Sequence, residues 1–199
     1  MIGLIKHRRC WLLAAAIAVA CYFLVPKLIW VWRQWQTLDR ATAAAAPILG
    51  QKIEWATTDL DGAPHSLAEY RGKVVVLDFW YAGCGHCLDA IPKLIGVADE
   101  FKTKPVILLG VNTDQGADEE RRGRVLNYLK ENHFNMYASL HSEHEGARLH
   151  EQYRVTLWPT VVVLDQQGTA RFVHCGNVPW LESSLTSEIG ELLSEEREP

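Results

Sequence analysis

The 199-residue chain is long enough for one domain with a real core plus an additional segment. Residues 1–40 carry six Lys/Arg and one acidic residue, a net charge of +5. The other residues carry 14 Lys/Arg against 23 Asp/Glu, a net charge of −9. An acidic body without a basic patch argues against nucleic acid as a partner.

The N-terminal residues 1–36 predict a single transmembrane helix. Basic residues near the start precede an uncharged, mostly apolar run over residues 10–26. This run is slightly shorter than the roughly 20 residues that span a bilayer, but the long side chain of Lys27 can reach the membrane surface. Three tryptophans follow at the spacing of an interfacial belt: Trp30, Trp32 and Trp35. We expect a single-pass anchor in the cell inner membrane, with the body on the periplasmic or other extracytoplasmic side.

Cleavage of this segment is the alternative. The sequence Ala18-Val19-Ala20 before Cys21 resembles a signal-peptidase site, or a lipoprotein site with Cys21 acylated. Cleavage there would leave the apolar residues 22–32 as an exposed N-terminus, which favours the uncleaved anchor.

Residues 37–50 predict a linker, because an alanine run there can prolong the anchor helix until Pro47 stops it. A short hairpin is expected over residues 53–62. Ser66 and Glu69 have the spacing of a capping box and predict a helical turn.

The stretch from Val74 to Cys87 organises the rest of the chain. Residues 74–80 are apolar, β-branched or aromatic apart from Asp78, as in a strand covered on both faces. Apolar residues then recur at helical spacing: Leu88, Ile91, Ile95 and Ala98. Cys84 and Cys87 therefore lie in the first turn of a helix at the carboxyl end of a strand, where reactive groups of open α/β sheets are often found.

This placement predicts different roles for the two thiols. The unpaired N–H groups and the dipole at the helix N-terminus favour a thiolate at Cys84, and a protonated His86 would add positive charge. Cys87, one turn further in, should be more buried. Cys84 is the predicted nucleophile and Cys87 the predicted resolving thiol.

The chain resembles the thioredoxin superfamily. The resemblance rests on Asp78 six residues before Cys84, on the Cys84-Gly85-His86-Cys87 tetrad, and on Trp158-Pro159-Thr160 before an apolar strand. It implies an α/β thioredoxin-like fold with a central mixed sheet flanked by helices. It also implies a Cys84–Cys87 redox-active disulfide, Asp78 as a buried acid that relays a proton to Cys87, and no cofactor. The expected substrate-binding residues are Gly85, His86, Trp158 and Pro159, with a cis bond before the proline.

The remaining elements complete a body over residues 51–199. Strands are predicted at residues 106–111, 136–140 and 161–164, with 161–164 pairing as a hairpin with 169–173. Helices are predicted at residues 117–132 and 143–153. A last helix carries one apolar stripe: Leu181, Leu185, Ile189 and Leu192.

This order, together with residues 111–114, resembles the membrane-anchored TlpA-like branch, which includes ResA and CcmG-type thiol reductases. Two positions depart from that branch. Ala90 stands where its members usually carry a glutamate, with Asp89 one position away, and Asp78 stands where they commonly carry asparagine. A proton relay through Asp78 follows the thioredoxin pattern instead.

The predicted function is an extracytoplasmic thiol–disulfide oxidoreductase that reduces or interchanges protein disulfides. Its expected partners are protein thiols and disulfides and a membrane electron donor or acceptor. The alternative is a metal-binding module or metallochaperone that uses Cys84, Cys87 and a histidine. The histidines considered for a metal site are His141, His144, His150 and His174, the last next to Cys175; no metal site is assigned to them, since surface histidines in polar segments are more often only solvated.

Overall fold

The computed structural model describes residues 2–116, 118–134, 139–141, 143–144 and 147–195. The chain divides into two compact units, Met1–Arg40 and Ala41–Pro199. The predicted linker, residues 37–50, therefore contributes its last ten residues to the second unit.

A long helix, α1 (Ile2–Ala45), begins in the first unit. Apolar side chains between Tyr22 and Trp35 are exposed, for example Leu28 at 66% and Trp30 at 62%. Within the described residues, no helix combines the length and the apolarity that a membrane crossing requires. The helix ends at Ala45 and a 3₁₀ turn over Ala46–Ile48 contains Pro47, as the alanine run predicted.

The second unit contains both strands and helices. They are β1 (Ala56–Thr58), β2 (Pro64–Ser66), a 3₁₀ turn (Leu67–Tyr70), β3 (Val74–Trp80), α2 (Gly85–Glu100), β4 (Val106–Asn112), α3 (Asp118–Glu131), β5 (Ser139–His141), β6 (Glu143–His144), β7 (Ala147–Arg148), α4 (Leu149–Gln152), β8 (Thr160–Leu164), β9 (Ala170–Cys175) and α5 (Leu181–Glu195). The predicted capping box is present, because Glu69 accepts from the backbone N–H and the hydroxyl of Ser66.

The central sheet is mixed and has the order β5-β4-β3-β8-β9. Strand β3 pairs in parallel with β4 and antiparallel with β8, so it has a neighbour on each side. All seven of its residues are buried, as the apolar run predicted. The hairpin of β8 and β9 was also predicted and is confirmed.

Helices cover both faces of this sheet. On one face, α2 and α5 pack over Val76 and Leu108, and the predicted stripe of α5 is buried. Val125 and Leu129 of α3 join α2 above Trp80. On the other face, Leu149 and Tyr153 pack with Ile48, Trp55 and other residues against the alternate side chains of β3. The mixed sheet with flanking helices is the fold that the resemblance to thioredoxin implied.

The helix predicted over residues 143–153 is mostly wrong. The described residues there form the two-stranded ribbon β6–β7, and only Leu149–Gln152 is helical. Of the residues of this stretch whose side chains the structure describes, Leu149 and Tyr153 are buried, and both lie at its C-terminal end. Of the strand predicted over residues 136–140, residues 136–138 lie outside the described part of the chain, and β5 begins at Ser139.

Candidate active site

The site forms where β3 passes into α2. The backbone N–H of Cys84 donates to the carbonyl of Tyr81 at 3.2 Å, which closes a tight turn. Gly83 in this turn has a φ of +89°, a conformation that favours glycine. Cys84 is the N-cap of α2, and its Sγ accepts a hydrogen bond from the backbone N–H of Cys87 at 3.2 Å.

The two cysteines are joined as a disulfide, with 5.2 Å between their Cα atoms. Both cysteines are buried, Cys87 fully and Cys84 with 4% of its surface exposed. Gly85 and His86 between them are exposed. On reduction, a thiolate at Cys84 would lie at the positive end of the α2 dipole and retain a backbone donor.

A second loop lies beside this pair. The peptide bond between Trp158 and Pro159 is cis, as expected. The backbone N–H of Gly176 donates to the Pro159 carbonyl at 2.7 Å, and the Thr160 hydroxyl donates to the Leu157 carbonyl at 2.6 Å. These bonds fix the loop at the start of β8. Trp158 packs on the cluster that contains both cysteines.

Asp78 lies in the middle of β3, opposite Gly110 on β4 and Val161 on β8. It is fully buried. Because side chains alternate along a strand, it shares the α2 face of the sheet with Val76 and Trp80. A carboxyl group in this position is held close to the helix that carries the thiols, and its role as a proton relay stays a prediction.

The fold and these loops can be compared with known proteins. The model of the AhpC/TSA family matches residues 48–173, more than half of the chain. The chain belongs to the AhpC/TSA family. The matched region of this AhpC/TSA chain contains β3, the cysteine pair and the Trp158–Pro159 loop.

Relatives agree with this assignment. Protein DipZ of Mycobacterium tuberculosis is 29% identical over 135 residues, which cover 68% of this chain but only 19% of DipZ. The chain thus spans about a fifth of DipZ. Thiol-disulfide oxidoreductase ResA of Halalkalibacterium halodurans is 24% identical over 158 residues, covering 79% of this chain and 82% of ResA.

A solved structure has the same fold. The crystal structure of a secreted disulfide oxidoreductase of Mycobacterium tuberculosis, described as homologous to DsbE of E. coli, superimposes with a TM-score of 0.55 at 25% identity. The match covers 69% of this chain and 95% of that one. The predicted resemblance to the ResA- and CcmG-like branch is confirmed, and the predicted enzyme class is the class of these relatives.

Both departures from that branch are visible in this AhpC/TSA chain. Ala90, at the position where a glutamate was expected, is a fully buried residue of α2. Asp89, one residue earlier, is exposed. The buried acid of the α2 face is instead Asp78, on the strand.

The metal-binding alternative finds little support in the described residues. They contain no group of three or more His, Cys, Asp or Glu side chains arranged to hold a metal ion. The disulfide engages both sulfurs that such a site would need. Nε2 of His174 lies 2.8 Å from Oε2 of Glu188, within hydrogen-bond distance, and the side chains of His141 and His144 lie outside the described part. Cys175 is buried, and the Thr160 hydroxyl lies 3.6 Å from its Sγ.

Two further residues of the site were not identified from the sequence. Tyr81, three residues before Cys84, is 40% exposed and meets the Trp158 ring edge to face at 6.0 Å and 81°. Asp114, after β4, accepts a hydrogen bond from the backbone N–H of Ala82 at 2.7 Å. An aromatic residue at the end of a buried strand was a usable signal for Tyr81, but nothing local indicates the contact of Asp114.

The negative charge of Asp114 affects a neighbouring tyrosine of this site, Tyr128. Burial of the phenol raises the pKa of Tyr128, and the negative charge of Asp114 and the nearby Tyr81 raise it further. The Tyr128 ring stacks on Trp80 at 5.8 Å, beneath the turn that leads to Cys84. The surroundings of the disulfide are therefore aromatic, largely dry and sensitive to nearby charge.

Proposed function

We propose that this chain is a membrane-anchored, extracytoplasmic thiol–disulfide oxidoreductase that reduces or interchanges disulfides of other proteins. The observation that carries this proposal is the Cys84–Cys87 disulfide at the N-terminus of α2, beside the Trp158–Pro159 loop. Cys84 caps the helix and Cys87 lies in its first turn, so a dithiol formed by reduction is held ready to form the disulfide again.

The reaction proceeds through a mixed disulfide. In the reduced protein, the Cys84 thiolate attacks one sulfur of a partner disulfide, that bond breaks, and the leaving partner thiolate takes up a proton. Cys87 then loses its proton and attacks Cys84, which forms the internal disulfide and releases the second partner thiol. Two electrons pass from the cysteine pair to the partner, so a membrane thiol donor must reduce the pair again; run in reverse, with a membrane acceptor, the same steps oxidise partner thiols.

Asp78 is the residue proposed to accept the proton from Cys87. It is fully buried on the α2 face of β3, the face that packs against the helix carrying both cysteines. Cys87 is fully buried as well and cannot exchange its proton directly with bulk water.

Partner proteins are proposed to contact the surface around Cys84. Gly85 and His86 are exposed beside it, and Trp158 and Pro159 form the neighbouring loop. The aromatic pair of Trp158 and Tyr81 presents apolar area next to the cluster that contains the disulfide. This arrangement favours a polypeptide partner, which covers that area, over a small disulfide, which does not.

The anchor belongs to the proposal on separate grounds. Apolar side chains are exposed around α1 between residues 22 and 35, with tryptophans at positions 30, 32 and 35. Exposed apolar area of this extent is unfavourable in water and favourable in a bilayer. The mycobacterial protein of the same fold is secreted, and disulfides form and persist in extracytoplasmic compartments. Both observations fit an extracytoplasmic position.

A Cys87→Ser variant tests the exchange. Without the resolving thiol, the mixed disulfide at Cys84 cannot collapse, so covalent complexes with partner proteins should accumulate. They are detected by non-reducing electrophoresis and disappear with reductant. The Cys84→Ser variant is the matched control and should trap none. Equal trapping by both variants, or by neither, contradicts the proposal.

A Trp158→Ala variant tests partner binding. We expect kcat/KM for a protein disulfide to fall by about tenfold, because truncating a contact tryptophan typically costs more than about 1 kcal/mol. The rate with a small disulfide such as oxidised glutathione should change little. Trp180→Ala is the control, because Trp180 is 44% exposed and lies before α5, outside the cluster of the cysteines. Equal losses with both substrates would show that Trp158 supports the fold instead.

Membrane extraction tests the anchor. The full-length chain should stay in the membrane pellet after alkaline carbonate, whereas a chain without residues 1–36 should be released. In intact cells with the pair reduced, a membrane-impermeant maleimide should label Cys84. Release of the full-length chain by carbonate, or labelling only after the cells are broken, contradicts the anchored extracytoplasmic placement.

A further inference from the structure

The turn before Cys84 has one backbone donor that the turn itself does not use. Its closing bond runs from the Cys84 N–H to the Tyr81 carbonyl. The N–H of Ala82 instead donates to Oδ2 of Asp114 at 2.7 Å, across 32 residues of sequence. The backbone just before the reactive cysteine is therefore held by a side chain from a different strand end.

Asp114 is itself tightly fixed. Its side chain is 10% exposed, and the same Oδ2 accepts a second hydrogen bond from Nδ2 of Asn112 at 2.8 Å. Its backbone N–H donates to Oδ1 of Asn112 at 3.2 Å. The other carboxylate oxygen lies 3.6 Å from Nε of Arg124, whose side chain is 44% exposed.

The neighbouring residue ties the same two strand ends together. Both the backbone N–H and the hydroxyl of Thr113 donate to the Trp80 carbonyl, at 2.8 and 3.0 Å. The residues that follow β4 are therefore hydrogen-bonded to the last residue of β3, Trp80, and to Ala82 two residues later. Asp114 holds the point nearer to Cys84.

We infer that Asp114 is a positioning residue for thiol–disulfide exchange: through the Ala82 amide it fixes the turn that places the Cys84 sulfur at the N-terminus of α2. The inference rests on the proposed function. Cys84 gains thiolate character from the N–H groups in the first turn of α2, among them that of Cys87, which donates to its Sγ at 3.2 Å. A turn released at Ala82 lets Cys84 leave that geometry.

If Asp114 acts by holding the turn, its removal should lower the reactivity of Cys84. If it acts only through its negative charge, its removal should raise that reactivity. Asp114→Ala removes both hydrogen bonds on Oδ2 and should make Cys84 less reactive. Asp114→Asn keeps an oxygen for both donors, and its amide group faces the exposed Arg124, which can turn into solvent. It also removes a negative charge that opposes the thiolate. The Asn variant should therefore react as fast as the wild type or faster.

The chain offers a closely matched control in Asp165. Its Oδ1 accepts two backbone N–H groups, from Gln167 at 3.0 Å and Thr169 at 2.8 Å, and its Oδ2 lies 3.6 Å from Nη1 of Arg171. Its side chain is 12% exposed, much as that of Asp114. It follows Leu164, which pairs with Val75 at the opposite end of β3 from the cysteines.

The test is alkylation of Cys84 by iodoacetamide in the reduced full-length protein in detergent, followed across pH by mass spectrometry of the Cys84 peptide. For Asp114→Ala we expect alkylation at neutral pH to slow about threefold or more, with the midpoint of the pH profile moving up toward that of a free cysteine. For Asp114→Asn and Asp165→Ala we expect no slowing, although Asp165→Ala should lower the unfolding midpoint. Unchanged or faster alkylation in Asp114→Ala, or equal slowing in Asp165→Ala, overturns the inference.

A measurement on the wild type covers the case in which Asp114→Ala does not fold. The Ala82 amide hydrogen should exchange slowly with solvent, as expected of a bond to a buried carboxylate. Exchange as fast as that of an exposed loop overturns the inference. Reduction of a protein disulfide by the wild type is assayed alongside, so that failure of the proposed function, an inactive wild type, is distinct from failure of the role of Asp114.

Discussion

The burial of β3 between two neighbouring strands is the constraint on which the site depends. A strand that is covered on both faces and paired on both edges has no freedom to shift, so its last residue, Trp80, has one position. Four residues later comes Cys84, the N-cap of α2. The position of Cys84 relative to the sheet is thus set by the packing of residues that take no part in the chemistry.

Electrostatics then distinguishes the two sulfurs. The N-terminus of α2 favours negative charge at Cys84, whereas Cys87 is fully buried above a strand that carries the buried Asp78. The acids near the pair have different tasks in this account. Asp78 is the residue proposed to take up a proton inside the core, and Asp114 accepts a hydrogen bond from the Ala82 amide before Cys84.

Features encoded locally could be predicted from the sequence. The strand 74–80, the start of α2 at the cysteines, the capping box at Ser66 and the stripe of α5 all follow from periodicity or from short motifs. The helix predicted over 143–153 is mostly wrong, because residues 143–144 pair with residues 147–148 as a strand ribbon, a contact that helical periodicity does not report. Tyr81 and Asp114 were missed because their importance arises from contacts across 77 and 32 residues, with Trp158 and Ala82, which no local pattern reports.

The reduction potential of the Cys84–Cys87 pair shows whether this pair can exchange disulfides with other proteins. The full-length protein is equilibrated in glutathione buffers, and the two thiols are counted by alkylation and mass spectrometry. The account predicts a single two-electron transition between about −270 and −120 mV, the range of proteins that exchange disulfides. A pair that stays oxidised below about −300 mV would be a structural disulfide, and a pair that never forms a disulfide would not be a redox site; each result contradicts the account.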